Sequence, residues 1–155
     1  QMYKGEADWT KIAEVKNNPR MNIPVFGNGD VNSPEKAKLM RDYYGLDGAM
    51  IGRACIGNPW FFDQVKYFLI ENSYLEPPSI FERVRAVKKH LKMSIAWKGE
   101  VLGVLETRRH YSNYFRGIPN FKPIRTKLVT SNSSIELFDI LEEILEKYSN
   151  YQFIA

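Results

Sequence analysis

Apolar positions in the first half of the chain switch between helical spacing and short continuous runs. Over residues 8–16 (DWTKIAEVK), Trp9, Ile12 and Ala13 recur at helical spacing behind Asp8, which predicts a helix with Asp8 as its N-cap. Residues 22–26 (NIPVF) are a short apolar run that ends in the turn Gly27-Asn28-Gly29-Asp30, the pattern of a strand entering a loop. Ser33 followed by Pro34 predicts the start of a second helix, with Ala37, Met40 and Tyr44 on one face and Gly45 at its end. Residues 48–51 (GAMI) predict another short buried strand that runs into Gly52-Arg53. Asn58-Pro59 opens a further helix carrying Phe61, Phe62, Val65, Phe68 and Leu69.

Helices and strands that alternate through such short connections imply a parallel α/β architecture. Two strands are too few, because a parallel sheet needs more strands and two covered faces. The expectation is therefore a piece of something larger, and a first residue that is not methionine supports it.

The character changes after Glu76-Pro77-Pro78, where two prolines redirect the chain. Ser79 and Glu82 have capping-box spacing, and Val84, Val87, Leu91 and Ile95 follow as a core stripe. Residues 99–116 predict a second helix stopped by Gly117 and Pro119, and residues 121–129 a short third one. Ser133 and Glu136 have the spacing of another capping box, ahead of Leu137, Ile140, Leu141, Ile144 and Tyr148 at helical spacing. The fold class expected is α/β over residues 1–76 followed by all-α over 77–155, the latter a small bundle.

Composition adds a partner. Of 155 residues, 44% are apolar, enough for a core. One cysteine, Cys55, offers neither a disulfide framework nor a metal cluster, and a cytoplasmic setting is expected. Residues 1–76 carry a net charge of −1 and residues 130–155 a net −4, whereas residues 77–129 hold 12 Lys/Arg against 3 Asp/Glu, a net +9. Positive charge concentrated in one segment suggests a polyanion, nucleic acid being the commonest, although a solvated helix surface has the same composition.

Two segments have the makings of one anion site. Asn28-Gly29-Asp30 lies at the C-terminal end of one predicted strand, and Gly52-Arg53 at that of the next. Adjacent parallel strands put both loops on one rim, where glycine lets backbone N–H groups approach phosphate oxygens and arginine adds a charge-assisted bond. A helix N-terminus behind each loop would favour the same anion. Each segment taken alone also reads as an ordinary turn. In the second half, Arg108, Arg109, His110, Tyr114, Lys122 and Arg125 form a basic and aromatic set. Arg108 and Arg109 are expected to face phosphates, and Tyr114 to stack on or support RNA. His110 also reads as a bundle histidine, and Tyr111 and Phe115 as core residues. Trp60-Phe61-Phe62 reads as packing between the α/β part and the helical bundle.

The stretches QMYKGEADW (1–9), IPVFGNGDV (23–31) and DGAMIGRACIGNPWFF (47–62) resemble the bacterial-type tRNA-dihydrouridine synthases in order and spacing, and the helical tail fits as well. The resemblance implies the C-terminal part of an FMN-binding (β/α)8 TIM barrel followed by a helical tRNA-binding domain. Gln1 to Gly5 would then follow the sixth strand, with residues 23–26 as strand seven and 48–51 as strand eight. Asn28, Gly29, Asp30, Gly52 and Arg53 match the FMN-contacting segments. In that family NADPH reduces FMN, the flavin delivers hydride to C6 of a uridine in tRNA, and a cysteine acid protonates C5.

That acid precedes these segments in the family, and Cys55 does not match it; Cys55 is expected to fill a small buried site. The chain alone is thus expected to be inactive, and prone to self-association through its uncovered strands. Two other readings stay open: another FMN-dependent TIM-barrel oxidoreductase, and a helical RNA-binding module without catalysis.

Overall fold

A computed structural model describes residues 5–153, so Gln1 to Lys4, expected in the loop after a sixth strand, lie outside the described residues. The chain divides into two compact units, one ending at Leu75 and the other starting at Glu76. The first is α/β and the second all-α.

In the α/β unit, helix α1 spans Thr10–Lys16. The N-cap residue is Trp9 rather than the expected Asp8, whose carboxylate instead accepts from the Thr10 amide at 3.0 Å and the Thr10 hydroxyl at 2.5 Å. Strand β1 is Phe26–Asn28 and strand β2 is Gly48–Met50, and they pair in parallel with Phe26 opposite Gly48 and Asn28 opposite Met50. The ladder therefore lies two residues later than the apolar run at 22–26 suggests. Pro24 has no N–H to give, and the Val25 amide donates to the Asp47 carboxylate at 2.7 Å. The same carboxylate accepts from Lys16 Nζ at 2.6 Å, which joins the end of α1 to both strand starts.

Helix α2 (Pro34–Asp42) starts at Ser33, whose hydroxyl accepts from the Lys36 amide. Helix α3 (Phe61–Glu71) does not follow β2 directly, because a 3₁₀ turn at Arg53–Cys55 stands between them. Trp9, Val31, Ala37, Met40, Leu46, Phe61 and Val65 form the core. Phe61 is thus spent inside this unit, while Phe62 is exposed. The second strand is not the buried element that its composition suggests. Met50 is 61% exposed and Phe26 65%, because no described residue covers the sheet on that side.

The helical unit contains α4 (Ile80–Lys98), α5 (Glu100–Tyr114), α6 (Lys122–Thr130) and α7 (Ser134–Tyr148). A full capping box starts α4: Ser79 Oγ accepts from the Glu82 amide, and Glu82 Oε2 accepts from the Ser79 amide at 2.8 Å. The start of α7 has only half of the expected box. Ser133 accepts from the Glu136 amide, but the Glu136 carboxylate turns to the Ser131 hydroxyl at 2.5 Å. Val84, Val87, Leu91, Tyr111, Leu128, Leu137, Leu141 and Ile144 fill the interior. Gly103 sets the approach of α5 to α4, since a Cβ there would stand 2.7 Å from the Ile95 backbone. Arg83 is held among Pro78 O, Tyr114 O and the Phe153 ring, and burial lowers its pKa to about 10. Among the described residues no helix is long and apolar enough to cross a membrane.

Candidate functional site

The ends of β1 and β2 and the loops after them line a cleft of about 450 Å³. All five residues singled out as cofactor-binding contribute to it: Asn28, Gly29, Asp30, Gly52 and Arg53. Parallel pairing explains the convergence, because it puts both C-terminal strand ends on one edge. The ladder shift makes Asn28 the last strand residue rather than a residue of the turn.

Asp30 organises this edge. One carboxylate oxygen meets Arg53 Nη2 at 2.6 Å, and the other accepts from the Ala7 amide at 2.8 Å. Its backbone is left-handed, with φ of 51°, a conformation that aspartate tolerates better than most residues. Gly29 beside it has φ of 114°, and a Cβ there would stand 2.5 Å from that of Ala7. Its carbonyl accepts from Trp9 Nε1 at 2.9 Å. Sequence spacing did not flag Ala7 or Trp9 for this cleft, because bonds across 20 or more residues leave no local signal.

A phosphate-sized anion fits these residues. The space where a Cβ would stand on Gly52 is open, and the Arg53 side chain is 61% exposed beside it. Asp30 orients that guanidinium and also offsets part of its charge. The expected helix N-terminus behind Gly52 is replaced by the 3₁₀ turn, so helix-dipole support there is shorter than the sequence suggested. Cys55 belongs to this turn: it is half-buried, with its thiol on the Gly52 carbonyl at 2.9 Å, and does not fill a buried site.

The basic residues of the helical unit divide into two groups. Arg108 is half-buried and one guanidinium nitrogen reaches the Ser131 carbonyl at 2.7 Å and Asn132 Oδ1 at 2.6 Å. It ties α5 to the turn before α7, and this geometry does not present it to phosphate as expected. Tyr114 is only 4% exposed, so it has no face for a base. It supports from within: its hydroxyl meets His90 Nδ1 at 3.3 Å. Arg109, Lys122 and Arg125 are exposed. Lys122 and Arg125 share a cleft of about 280 Å³ with Arg116, another cation of the basic segment.

His110 is not a fully satisfied bundle histidine. Its Nε2 accepts from Arg109 Nε at 3.2 Å, which puts the proton on Nδ1, and Nδ1 is buried without a hydrogen-bond partner. The His90 ring stands edge-on, 4.6 Å between centroids. Burial above all, then His90 and Arg109, lowers the His110 pKa to about 4. Burial and Arg109 also hold His90 below the ordinary imidazole range.

Comparison with known proteins identifies the family. The family described as "Dihydrouridine synthase (Dus)" matches residues 1–150. A tRNA-dihydrouridine synthase B of Pseudomonas putida is 37% identical over 126 residues, 81% of this chain and 37% of that protein. A probable tRNA-dihydrouridine synthase of Mycobacterium leprae is 35% identical over 144 residues, 93% of this chain and 37% of its own length. One from Rickettsia conorii is 34% identical over 150 residues, 97% and 44% respectively. The chain thus spans less than half the length of these relatives. The chain belongs to the dihydrouridine synthase family.

Proposed function

We propose that the full-length protein is a flavin-dependent tRNA-dihydrouridine synthase. In this reading the α/β unit supplies the last two strands of an FMN-binding (β/α)8 barrel, and the helical unit binds tRNA. The cleft at the paired strand ends carries the proposal, because it joins two glycine-bearing loops and a cation on one edge. Such an edge holds phosphate-bearing ligands in parallel α/β folds.

Arg53, Gly52, Gly29 and Asn28 would hold the FMN phosphate end, with Asp30 fixing the direction of Arg53. Bound FMN supplies a two-electron carrier between NADPH and a uridine ring. The chain's own residues bind and orient. The thiol of Cys55 is turned to the Gly52 carbonyl, so it is not placed as the acid, and the 155-residue chain alone is proposed to be inactive. Arg109, Lys122, Arg125 and Arg116 are the exposed cations proposed to meet tRNA phosphates.

The experiment is flavin titration of the full-length protein, with dihydrouridine in tRNA as the second readout. Wild type should bind FMN and form dihydrouridine with NADPH, and Arg53→Ala should lose about 1.5–3 kcal/mol of FMN binding. Equal FMN affinity in the two proteins would remove Arg53 from the site.

A further inference from the structure

The α4–α5 side of the helical unit has a feature that phosphate binding alone does not account for. Trp97, near the end of α4, is 82% exposed. Met93 lies one turn before it and is also exposed. Residues four apart share a helix face, so Arg85 and Lys89 continue the stripe that ends in Met93 and Trp97. Beside this stripe runs a groove of about 470 Å³, lined by Met93, Trp97, His90, His110 and Arg109 among others.

We propose that this groove binds one unstacked nucleobase of an RNA, with the Trp97 ring as its platform and Arg109 on the adjoining phosphate. The proposal rests on the RNA reading of the helical unit and deepens it. Four observations support it. The groove volume suits a single planar ligand. Lys98 Nζ sits 4.7 Å from the centroid of the Trp97 ring and is ion-paired with Glu106, yet the indole stays mostly exposed, which leaves its other face open for stacking. Arg109 spends Nε on His110 and forms no ion pair among the described residues, so its remaining N–H groups are available to an anion. The surroundings are complementary in charge, since residues 77–129 carry a net +9.

Basic side chains interleaved with an exposed aromatic are what single-stranded nucleic acid requires. Stacking supplies affinity without base selection, and the cations follow the backbone. The groove's apolar lining comes from Met93 and Trp97, and its remaining lining residues are polar or charged, with the unpartnered His110 Nδ1 buried behind them.

The test exploits the different salt signatures of stacking and phosphate contact. Full-length protein is titrated with a tRNA transcript across a range of salt. Trp97→Ala should weaken binding roughly 5- to 150-fold, the range that base–aromatic stacking supplies, with an unchanged slope of log affinity against log salt. Trp97→Phe should recover most of the loss and Trp97→Leu should not, because leucine keeps apolar area but has no π face. Arg109→Ala should weaken binding and flatten the slope by about one unit. Wild-type affinity in Trp97→Ala overturns the proposal while leaving the RNA reading intact. So does equal binding by the Phe and Leu variants, which would mark an apolar docking surface for a protein. A wild-type protein without affinity for tRNA overturns both.

Discussion

The two units are nearly equal in length and differ in how they close. In the helical unit, the interior-facing positions of all four helices are covered by one another, and side chains as large as Tyr111 and Phe115 are almost fully buried. In the α/β unit one core lies between α1, α2, α3 and one side of two short strands, and Phe26 and Met50 stay uncovered. A helix satisfies its own backbone hydrogen bonds, so a few helices close a core among themselves. A parallel strand needs neighbours on both edges and cover on both faces. The α/β unit therefore shows a cleft at the ends of two strands, without the further strands that would stiffen its rim.

The largest effect that sharpens this contrast is core truncation. Leu141 and Met40 are both almost fully buried, one in each unit. Removing such a side chain costs about 2–5 kcal/mol, and the value depends on how far the surroundings collapse. Leu141→Ala should fall at the high end, because the closed bundle cannot relax. Met40→Ala should fall at the low end, because the open side of the sheet lets neighbours move in. Native-state hydrogen exchange separates the units, and equal losses would break the comparison. The uncovered strands should also make the chain self-associate with concentration, readable by sedimentation.

The sequence was legible where the physics is local. Ser33 with Pro34, Ser79 with Glu82, and the Leu137 to Tyr148 stripe appear in the structure as their spacing predicts. The convergence of Gly29-Asp30 and Gly52-Arg53 was also legible, since parallel order follows from the alternation of elements. Legibility failed where a long-range bond decides. The Asp47 carboxylate takes the Val25 amide and the ladder starts later. The turn at 131–132 claims Arg108, and the bundle interior claims Tyr114. A +9 segment reads as one surface in sequence, yet its cations differ in whether their donors are already spent.

A middle-sized effect concerns acid, and it belongs to the helical unit. His110 has a pKa of about 4 in the folded chain, below the unfolded value of about 6.5. Between those values the unfolded chain binds more protons, so stability rises with pH. It is complete above about pH 6.5 and is lost as pH falls toward 4. The groups facing His110 are His90 on α4 and Arg109 on its own helix, neither of which stabilises an added positive charge. Allowing for solvent at a half-buried ring, the loss should be roughly 1–2 kcal/mol. Denaturant titrations at pH 7 and pH 4.5 should show it in wild type and much less in His110→Gln. The α/β unit has no histidine, so its exchange rates, corrected for intrinsic pH dependence, should lack this component.

The smallest effect compares one serine cap from each unit. Ser79 and Glu82 satisfy each other's backbone donors, and Glu82 Oε2 also accepts from the Ser79 hydroxyl at 2.7 Å. Ser33 accepts one bond from the Lys36 amide at 3.4 Å, a long contact. Losing a serine cap costs about 0.5–2 kcal/mol, and the reciprocal box should lie above the single long bond. Ser79→Ala is expected near 1 kcal/mol and Ser33→Ala near 0.5 kcal/mol. The two also differ in acid. Bonds from Ser79 hold the Glu82 carboxyl below its usual range, so the box is intact above that range and loosens as pH falls through the lowered pKa. The cost of Ser79→Ala should therefore shrink at low pH, whereas that of Ser33→Ala, which involves no carboxylate in its cap bond, should stay constant. Denaturant titrations of both variants at two pH values read this directly. A pH-independent cost at Ser79 would show that its hydroxyl, rather than the Glu82 carboxylate, carries the cap.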